Sequence, residues 1–524
     1  MECTCVRHTE LPNTSKLFSD LIYHFERVKD LYSASPNDIE ALEDASHFVF
    51  PEDRRARVVE ALAPMNQGSA SLTRLAQPGT VAIVTGQQVG LFSGPAYTVY
   101  KALTAIRIAR ELESRGVAAV PVFWLATEDH DFAEIDHAWV FDASHRPVRL
   151  EVRCDAAEGR PVGGIVPREF PLEDLRSALV GLPFADETLA LVERAYRPGA
   201  SMGSAFAAMV REIFAPYGLL LIDPMEPAVR KAAAPLMRQA VEQMPELTAA
   251  LTDRSRELVE RGYHAQVLVD NRTSLVFLLE GGKRIALRRT AEGFSAGSRK
   301  FSIKDLAAHA ATLSPNALLR PVIQDYLLPT AAYVGGPAEL AYLAQSQVLY
   351  QKLLGRQPVA FPRAGFTLVD ERSAKWMAKY RLSPAAAFVS ERELRENIAQ
   401  QLVPHALKHR LESTGAAISS ALDGLEQELT RFDVSLAAAL GTSRRKIEFQ
   451  TAKISRKTAA EIMRRDARAG ENAAALHGLL FPEDHPQERL HSIVPFLAKF
   501  GPGLIADLFD HVKVECPDHQ FAVV

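Results

Sequence analysis

Residues 81–135 decide the fold and read VAIVTGQQVGLFSGPAYTVYKALTAIRIARELESRGVAAVPVFWLATEDHDFAEI. The apolar run Val81–Val84 predicts a short strand that is buried on both faces. After a turn rich in glycine and glutamine, Ser93-Gly94-Pro95 indicates a helix, because a hydroxyl and a proline favour the first turn. The second apolar run, Val120–Leu125, predicts another strand. The stretch is therefore a βαβ unit, which predicts an α/β fold with a parallel sheet and a ligand site beyond the carboxyl ends of its strands.

The composition of the whole chain narrows the class of protein. Its 524 residues allow about two or three domains. A net charge of -4 argues against a dedicated nucleic-acid binder, which usually carries a basic surface. The four cysteines are too few for a disulfide framework, and Cys3 and Cys5 lack a second Cys/His pair that would complete a zinc site. No leader-like or membrane-spanning run is evident, so we expect a cytoplasmic protein without membrane partners.

The rest of the chain continues the alternation of strands and helices. Residues 219–222 predict a buried strand that ends in an acid, and residues 266–287 predict a β-meander. The parallel pattern then resumes: Gly335-Gly336-Pro337 precedes a predicted helix over 338–354. Residues 358–369 predict the next strand, with Arg363 near its middle.

The C-terminal region changes to long, charged, helix-forming sequence. Apolar residues recur there in alternate steps of four and three, which is typical of a coiled-coil seam, at Ile418, Leu422, Leu425, Leu429, Phe432 and Leu436. We place a turn at Gly441-Thr442-Ser443 and a returning helix over 446–468, which together predict an antiparallel helical hairpin. An apolar helix over 490–509 is predicted in the tail.

Three groups of polar residues follow predicted strands and are candidates for the functional site. The first is a glycine turn before a helix, where backbone N–H groups favour phosphate or carboxylate; it comprises Thr85, Gly86, Gln87, Gln88, Ser93 and Gly94. It matches neither the dinucleotide-binding G-x-G-x-x-G pattern nor the P-loop. The alternative is an ordinary tight turn between a strand and a helix.

The second group follows the second strand and consists of Glu128, Asp129, His130 and Asp131. Adjacent carboxylates raise one another's pKa and can hold a histidine charged, which suits general acid–base catalysis. The alternative is that these acids cap a helix. His137 lies close enough in sequence to suggest a metal ion, but we expect no metal site.

The third group is a second glycine turn that feeds a helix and can face the first across a cleft. Its members are Gln324, Asp325, Tyr333, Gly335, Gly336 and Glu339. Arg320 and Arg363 have the guanidinium geometry that clamps a carboxylate, although a surface ion pair is the alternative for each. Lys101 lies one turn into the first helix, and we interpret it as a solvated residue.

Two blocks of this sequence resemble the bacillithiol biosynthesis cysteine-adding enzyme family, BshC. One runs from Thr85-Gly86-Gln87-Gln88 through Tyr100-Lys101 to PVFWLATEDHDFAEI at 121–135. The other begins at Leu313-Ser314-Pro315-Asn316 and includes LLRPVIQDYLLPTAAYVGGPAELAYLAQ at 318–345. Gln487-Glu488-Arg489 and the later Phe-Leu pair are similar to the family's tail, but the asparagine expected before that pair is absent from the segment 492–495.

The resemblance implies a Rossmann-like core related to nucleotidylyltransferases and class I aminoacyl-tRNA synthetases. It also implies inserted connective segments and a coiled-coil arm that forms a homodimer. On this basis the chain divides into an N-terminal helical segment (1–77), the first half of the core (78–145), connective insertions (146–312), the second half of the core (313–384), the coiled-coil arm (385–475) and a C-terminal segment that packs on the core (476–524).

The implied reaction is the last step of bacillithiol synthesis, in which a ligase joins L-cysteine through an amide to glucosaminyl-malate. ATP or another nucleotide is the expected activating cosubstrate. In this hypothesis His130, or a carboxylate beside it, takes the proton of the attacking amine, Asp129 and Asp131 hold the amine, and Arg363 binds the malate carboxylates. Two alternatives stay open: an adenylate-forming or nucleotidylyltransferase-like enzyme with another small substrate, and a coiled-coil pathway scaffold with a degenerate site.

Overall fold

A computed structural model describes residues 1–154, 158–290 and 292–524 of the chain. Its strands are β1 (Glu2–Val6), β2 (Val81–Gln87), β3 (Ala119–Leu125), β4 (His137–Phe141), β5 (Pro147–Glu151), β6 (Leu220–Ile222), β7 (Thr273–Glu280), β8 (Lys283–Thr290), β9 (Gly293–Ala296), β10 (Arg299–Phe301), β11 (Leu313–Pro315), β12 (Thr330–Gly335), β13 (Val359–Pro362), β14 (Phe366–Val369) and β15 (His519–Val523).

The helices alternate with these strands over the first two thirds of the chain and dominate the last third. They are α1 (Lys16–Tyr23), α2 (Ile39–Ala45), α3 (Glu52–Leu62), α4 (Ala70–Leu75), α5 (Tyr97–Ser114), α6 (Leu172–Ala178), α7 (Ala185–Ala195), α8 (Met202–Phe214), α9 (Pro227–Glu242), α10 (Met244–Glu260), α11 (Ile303–Ala308), α12 (Arg320–Leu327), α13 (Pro337–Leu353), α14 (Glu371–Lys379), α15 (Glu391–Leu402), α16 (His405–Phe432), α17 (Val434–Arg465), α18 (Ala467–Leu480), α19 (Gln487–Leu490), α20 (Val494–Phe500) and α21 (Leu504–His511).

The described chain forms two units with separate internal packing. The larger unit contains the sheet-bearing part of the chain and consists of Met1–Ala143, Pro147–Thr367 and Glu488–Ala522. The smaller unit is mainly helical and consists of Ser144–Arg146, Leu368–Gln487 and Val523–Val524.

A five-stranded parallel sheet of order β13-β12-β2-β3-β6 forms the centre of the larger unit. Alternate residues of β2 point to opposite faces, as the twofold period of a strand requires. Val81 and Ile83 pack with apolar residues of α2 and α5, whereas Ala82 and Val84 pack with those of α9, α10, α12 and α13. Both faces of the sheet are therefore covered, which explains the unbroken apolar runs and confirms the predicted α/β fold.

The strand order places a topological switch point between β2 and β12. From β2 the chain proceeds through α5 to β3 and later to β6 on one side, and then returns to β12 and β13 on the other. Ligands of open α/β sheets bind in the crevice outside the carboxyl ends of the strands at such a point. The topology therefore marks the ends of β2, β3 and β12 as the place for a site.

The segment between β6 and β12 supplies an antiparallel sheet of order β10-β9-β8-β7-β11. The later part of the predicted β-meander is confirmed, because a turn at Gly281-Gly282 joins β7 to β8. The prediction of strand structure from residue 266 is wrong, since β7 begins only at Thr273. The Gln345 side chain binds both the N–H and the carbonyl oxygen of Val267, at 2.9 Å each, and so replaces a neighbouring strand.

Three further element predictions need correction. The predicted strand over 358–369 is two strands, because the N–H of Ala364 donates to the Thr104 hydroxyl instead of a sheet partner. The predicted tail helix over 490–509 is also two helices, separated at Gly501, whose φ of 85° is in the left-handed region. The segment 1–77, predicted to be helical, contains α1 to α4 but also strand β1, which that prediction missed.

The smaller unit contains the predicted helical hairpin, formed by α16 and α17. Arg444 contacts both Asp423 and Glu426, at 2.6 and 3.0 Å, which fixes the two helices as antiparallel neighbours. The predicted turn at Gly441 is wrong, since the helices meet at Asp433, whose carboxylate accepts a hydrogen bond from the Ser435 N–H and caps α17. None of the helices in the described residues combines the length and apolar content that a membrane crossing requires.

Candidate active site

A cavity of about 660 Å³ lies at the switch point of the parallel sheet. Its walls come from the carboxyl ends of β2, β3 and β12, from α5 and α13, and from the antiparallel sheet. The lining residues that carry polar or charged side chains are Gln87, Gln88, Tyr97, Lys101, Trp124, Glu128, Asp129, His130, Glu134, Arg284, Asn316, Arg320, Glu339, Tyr342, Arg363 and Arg489. Members of all three predicted groups thus line one cavity: Gly86, Gln87 and Gln88 from the first, Glu128, Asp129 and His130 from the second, and Gly336 and Glu339 from the third.

The cavity has an acidic rim at the end of β3, which we define as Glu128, Asp129, His130 and Glu134. Glu128 is 5% exposed, and one of its oxygens accepts a hydrogen bond from the Ser314 hydroxyl at 2.9 Å. Its other oxygen, Oε1, has no hydrogen-bond partner among the described residues. Burial raises the pKa of Glu128, and the charge of Arg284 offsets this only in part. Glu128 is therefore a buried acid with unused hydrogen-bonding capacity.

Asp129 is held as a carboxylate by several donors. The Gln88 side chain donates to Oδ2 at 2.9 Å, and the His130 N–H donates to Oδ1 at 2.8 Å. Arg284 donates to the same Oδ1 at 3.1 Å. Burial alone would raise the pKa of Asp129, but these hydrogen bonds and charges keep it below its usual range.

Arg284 is a site residue that the sequence analysis missed. It lies on β8, and its guanidinium donates to His130 Nδ1 at 3.0 Å in addition to Asp129. Further hydrogen bonds run to the Ser314 hydroxyl at 3.1 Å and to the Pro315 carbonyl oxygen at 2.8 Å. Arginine on a solvent-facing antiparallel strand carries no local signal of such a role, because its partners at 129 and 130 are about 155 residues away in sequence.

The opposite side of β2 carries a basic rim, which we define as Lys101, Arg320 and Arg363. The interpretation of Lys101 as a solvated residue is wrong, since its side chain is only 2% exposed. Its ammonium donates to the Gly86 carbonyl oxygen at 2.9 Å and to Gln87 at 2.8 Å, and forms an ion pair with Glu339. Burial lowers the pKa of Lys101, and the Glu339 charge opposes that shift.

Glu339 begins α13 and closes the second glycine turn. Its carboxylate accepts hydrogen bonds from the Gly336 N–H at 2.9 Å and the Tyr333 hydroxyl at 2.7 Å. Burial would raise the pKa of Glu339, but Lys101 and these donors hold it below its ordinary value. Glu339 therefore ties the helix start, the strand end and Lys101 together.

Arg363 lines the cavity but already has a carboxylate partner. Its two terminal nitrogens donate to the two oxygens of Glu488 at 2.7 and 2.6 Å, and both side chains are 7% exposed. Burial would raise the pKa of Glu488, but Arg363 lowers it to about 2. The predicted role of Arg363 in binding a substrate carboxylate stays a prediction, and it competes with this bidentate pair.

Two other guanidinium groups at the cavity have no carboxylate partner in the described structure. Arg320 donates to the Tyr342 hydroxyl at 2.8 Å, with longer contacts of 3.5 Å to Tyr333 and Gln324. Arg489 is exposed at the cavity wall. These groups retain donors for an anionic ligand.

Several predicted site residues lie outside the cavity lining. Thr85 donates to the Val334 carbonyl oxygen within the sheet, and Asp325 is buried against Tyr350 and Gln324. Ser93 is fully buried, and its N–H donates to the Tyr196 hydroxyl at 3.0 Å rather than facing a ligand. Asp131 is exposed.

The remaining predicted glycines lie in or beside the cavity, and no metal-binding cluster is present among the described residues. Gly86 and Gly336 line the cavity, Gly335 ends β12, and Gly94 lines a separate crevice of about 100 Å³ beside it. A Cβ at Gly86 would lie 2.8 Å from the Trp124 carbonyl oxygen, so only glycine fits the close approach of β2 and β3 there. The described residues contain no group of three or more His, Cys, Asp or Glu side chains placed to hold a metal ion.

Comparison with known proteins agrees with this architecture. Residues 1–364 match the family model for the N-terminal Rossmann-like domain of the bacillithiol biosynthesis protein BshC, and residues 366–524 match the model for its C-terminal coiled-coil domain. A protein of Solibacter usitatus named "Putative cysteine ligase BshC" is 52% identical over 525 residues, with 100% of both chains covered.

Relatives of the same name in two other organisms are more distant. The Koribacter versatilis protein is 34% identical with 98% of each chain covered, and the Salinibacter ruber protein is 31% identical with 96% of this chain and 95% of the relative covered. The chain belongs to the BshC family. The predicted Rossmann-like core and coiled-coil region are confirmed.

Proposed function

We propose that this member of the BshC family is a ligase that joins L-cysteine through an amide bond to glucosaminyl-malate in the last step of bacillithiol synthesis. The observation that carries the proposal is the cavity at the switch point, where an acidic rim with a free carboxylate oxygen faces a basic rim across β2. The relatives' name, putative cysteine ligase, supports cysteine as one substrate, and the family description supports bacillithiol biosynthesis. Glucosaminyl-malate as the other substrate is part of the proposal.

The charges of the two rims suggest an orientation for the substrates. The amino groups of glucosamine and cysteine are cationic in water and suit the acidic rim, where Glu128 and Asp129 offer carboxylate oxygens. The malate carboxylates suit guanidinium groups that have no internal carboxylate partner, which favours Arg489 and Arg320 over Arg363. This orientation keeps every buried charge opposite a charge of the other sign.

The chemistry requires an activated carboxyl group, and a nucleoside triphosphate is the proposed activator. The cysteine carboxylate would attack the α-phosphorus, with departure of pyrophosphate and formation of an acyl nucleotide, or the γ-phosphorus, with departure of the nucleoside diphosphate and formation of an acyl phosphate. The amine then attacks the acyl carbon, a C–N bond forms, the C–O bond to phosphate breaks, and the phosphate takes the electron pair. The N-terminus of α13 lines the cavity at Gly336 and Pro337, where phosphate charge is favoured.

The attacking amine must also lose a proton. His130 and the carboxylates beside it are the candidates, and such a base contributes about 10²–10⁴-fold to the rate. Glu128 suits this task because burial raises its pKa above the ordinary value and its Oε1 has no hydrogen-bond partner among the described residues. Asp129 suits it less, because its oxygens already accept three hydrogen bonds.

The test is a reaction with the purified full-length protein, isotopically labelled L-cysteine, glucosaminyl-malate and a nucleoside triphosphate, followed by mass spectrometry. We expect a product whose mass equals the two substrates minus water, and no product when any component is omitted. Nucleotide consumption with other amino acids or sugars alone would favour an adenylate-forming enzyme with another substrate. Absence of any turnover, together with normal bacillithiol in cells that lack the gene, would favour the scaffold.

The homodimer and the cytoplasmic location belong to the same proposal. Helix α16 buries no residue within the chain, and α17 buries only Ala459, so the apolar seam of the hairpin lacks a partner in a single chain. A second copy of the hairpin would cover that seam. Bacillithiol synthesis draws on cysteine and nucleotide, which supports placement in the cytoplasm.

A further inference from the structure

We infer that Arg284 fixes His130 as a hydrogen-bond donor to the reacting acyl oxygen, so that Glu128 and not His130 receives the proton of the amine. The inference rests on the proposed ligase activity for its role in the reaction. The tautomer itself rests only on the contacts of His130. In this assignment Arg284 is a positioning residue, because it acts through His130.

The hydrogen bond between Arg284 and His130 determines where the imidazole carries its proton. The guanidinium nitrogen lies 3.0 Å from His130 Nδ1. Arginine has five N–H donors and no acceptor, so Nδ1 must be the acceptor and must carry a lone pair. The ring proton of the neutral imidazole is then on Nε2. His130 therefore offers an N–H, and not a lone pair, at its remaining nitrogen.

Arg284 is held so firmly that it cannot turn away to admit the other tautomer. Its side chain is 8% exposed, and its remaining donors bind Ser314 and the Pro315 carbonyl oxygen. The guanidinium also stacks 3.9 Å from the centre of the Phe277 ring, against which His130 packs at a centroid distance of 5.5 Å. Two strands of the antiparallel sheet, β7 and β8, thus fix both partners.

The opposite tautomer would lose contacts on both sides. A proton on Nδ1 would face the Arg284 N–H, which places donor against donor at 3.0 Å. The nearest carboxylate oxygen, Asp129 Oδ1, is 3.5 Å from Nδ1 and already accepts from Arg284 and from the His130 N–H. Asp129 therefore offers no compensating hydrogen bond of good length.

An N–H at Nε2 has a natural task in amide formation. When the amine attacks the activated cysteine, the acyl oxygen gains negative charge in the tetrahedral intermediate, and a fixed donor stabilises that charge. His130 lines the cavity and is 38% exposed, so a ligand can reach it. One donor of this kind contributes about 10²–10³-fold to kcat. The proton of the amine goes to Glu128 on the same rim.

Two amide replacements of His130 separate the donor from the base. In His130→Gln the side-chain NH₂ reaches the place of Nε2 but has no basic nitrogen, whereas the shorter side chain of His130→Asn places its amide near Nδ1 and does not reach Nε2. We expect kcat to fall about 10²–10³-fold in His130→Asn and by a much smaller factor in His130→Gln. Equal losses in both variants would assign His130 as the base and overturn the inference.

Nuclear magnetic resonance of the ring nitrogens tests the tautomer without any substrate. In full-length protein labelled with ¹⁵N-histidine, the signals that disappear in His130→Gln identify the ring. We expect the wild-type ring to be protonated on Nε2 alone, and Arg284→Met to show both tautomers; Arg284→Gln, whose amide can donate or accept, provides a second variant with the same expected result if the methionine variant does not fold. A proton on Nδ1 in wild type would overturn the inference even if the ligase activity is confirmed. A proton on Nε2 without ligase activity would instead overturn the proposed function.

Discussion

The two rims of the cavity treat their charges differently. On the basic rim, Lys101 and Arg363 each have an internal carboxylate partner, Glu339 and Glu488. On the acidic rim, Glu128 keeps an oxygen without a partner, although it is almost fully buried. Buried polar atoms are nearly always hydrogen-bonded, and an unpaired one costs free energy. The comparison indicates that the paired charges, including Asp129 with Arg284, hold the shape of the cleft. Glu128 Oε1 and the Arg320 guanidinium have no charged partner of this kind, which makes them the groups that we propose for ligand binding.

The largest expected effect is on kcat and comes from a substitution on the acidic rim. Glu128→Gln keeps the shape of the side chain but removes its ability to accept a proton. We expect kcat for amide formation to fall about 10²–10⁴-fold while the protein stays folded. Steady-state assays and thermal unfolding of the same preparation measure the two quantities.

Ser314→Ala provides the matched control for this variant, since it removes the hydrogen bond to the other oxygen of Glu128 and leaves the carboxyl group. We expect it to cost far less than Glu128→Gln. Full activity in Glu128→Gln would show that the unpaired oxygen is not the base.

The next largest effect is expected on the free energy of unfolding and comes from a substitution on the basic rim. Arg363→Met leaves Glu488 buried without its partner, and breaking a buried ion pair in this way costs about 3–5 kcal/mol. Arg176→Met is the matched control, because Arg176 pairs with Glu193 at the surface, where the loss is about 0–1 kcal/mol. Denaturant unfolding compares the two variants. Equal free energies of unfolding would contradict a structural role for the Arg363–Glu488 pair.

The pH dependence of the free energy of unfolding tests the same ion pair between Arg363 and Glu488. Arg363 lowers the pKa of Glu488 to about 2 in the folded protein, below its ordinary value of 4.5. A depressed carboxyl pKa stabilises the folded state above the unfolded pKa, and the contribution is lost as the pH falls through the folded value. We therefore expect wild type to exceed Glu488→Gln in unfolding free energy at neutral pH, with a difference that shrinks between pH 4.5 and 2. A difference that is independent of pH would contradict the pairing.

The smallest effect on kcat is expected from substitutions in the hairpin of α16 and α17. Leu425 and Phe449 are 47% and 55% exposed on α16 and α17. We expect Leu425→Glu with Phe449→Glu to convert a dimer to a monomer in light scattering, with a small change in kcat. Val180→Glu, at an apolar position of the larger unit that is 69% exposed, is the control and should leave the proposed dimer intact. A large loss of activity in the monomer would mean that the rims do not function alone.

Local sequence patterns were sufficient for the first βαβ unit and for the position of the cleft, although several element boundaries were wrong. Apolar runs at Val81–Val84 and Val120–Leu125, with a helix between them, specify a βαβ unit, and that unit places Gln87 and Glu128 at one sheet edge. The seam of α16 likewise indicated the hairpin, although the turn at Asp433 was missed because its cap is a single residue. The catalytic and binding roles of these residues stay predictions.

The sequence by itself therefore determined the α/β class and the strand ends that carry polar groups, because strand and helix periodicities are local. The family was identified through the resemblance of two sequence blocks. Only the tertiary structure decided which charges are paired. Lys101 was interpreted as solvated, but α13 places Glu339 beside it. The carboxylate partner of Arg363, Glu488, is 125 residues away in sequence. Arg284 contacts His130 only because β8 lies next to the end of β3. The partner of a charge depends on how distant segments pack, and no local pattern contains that information.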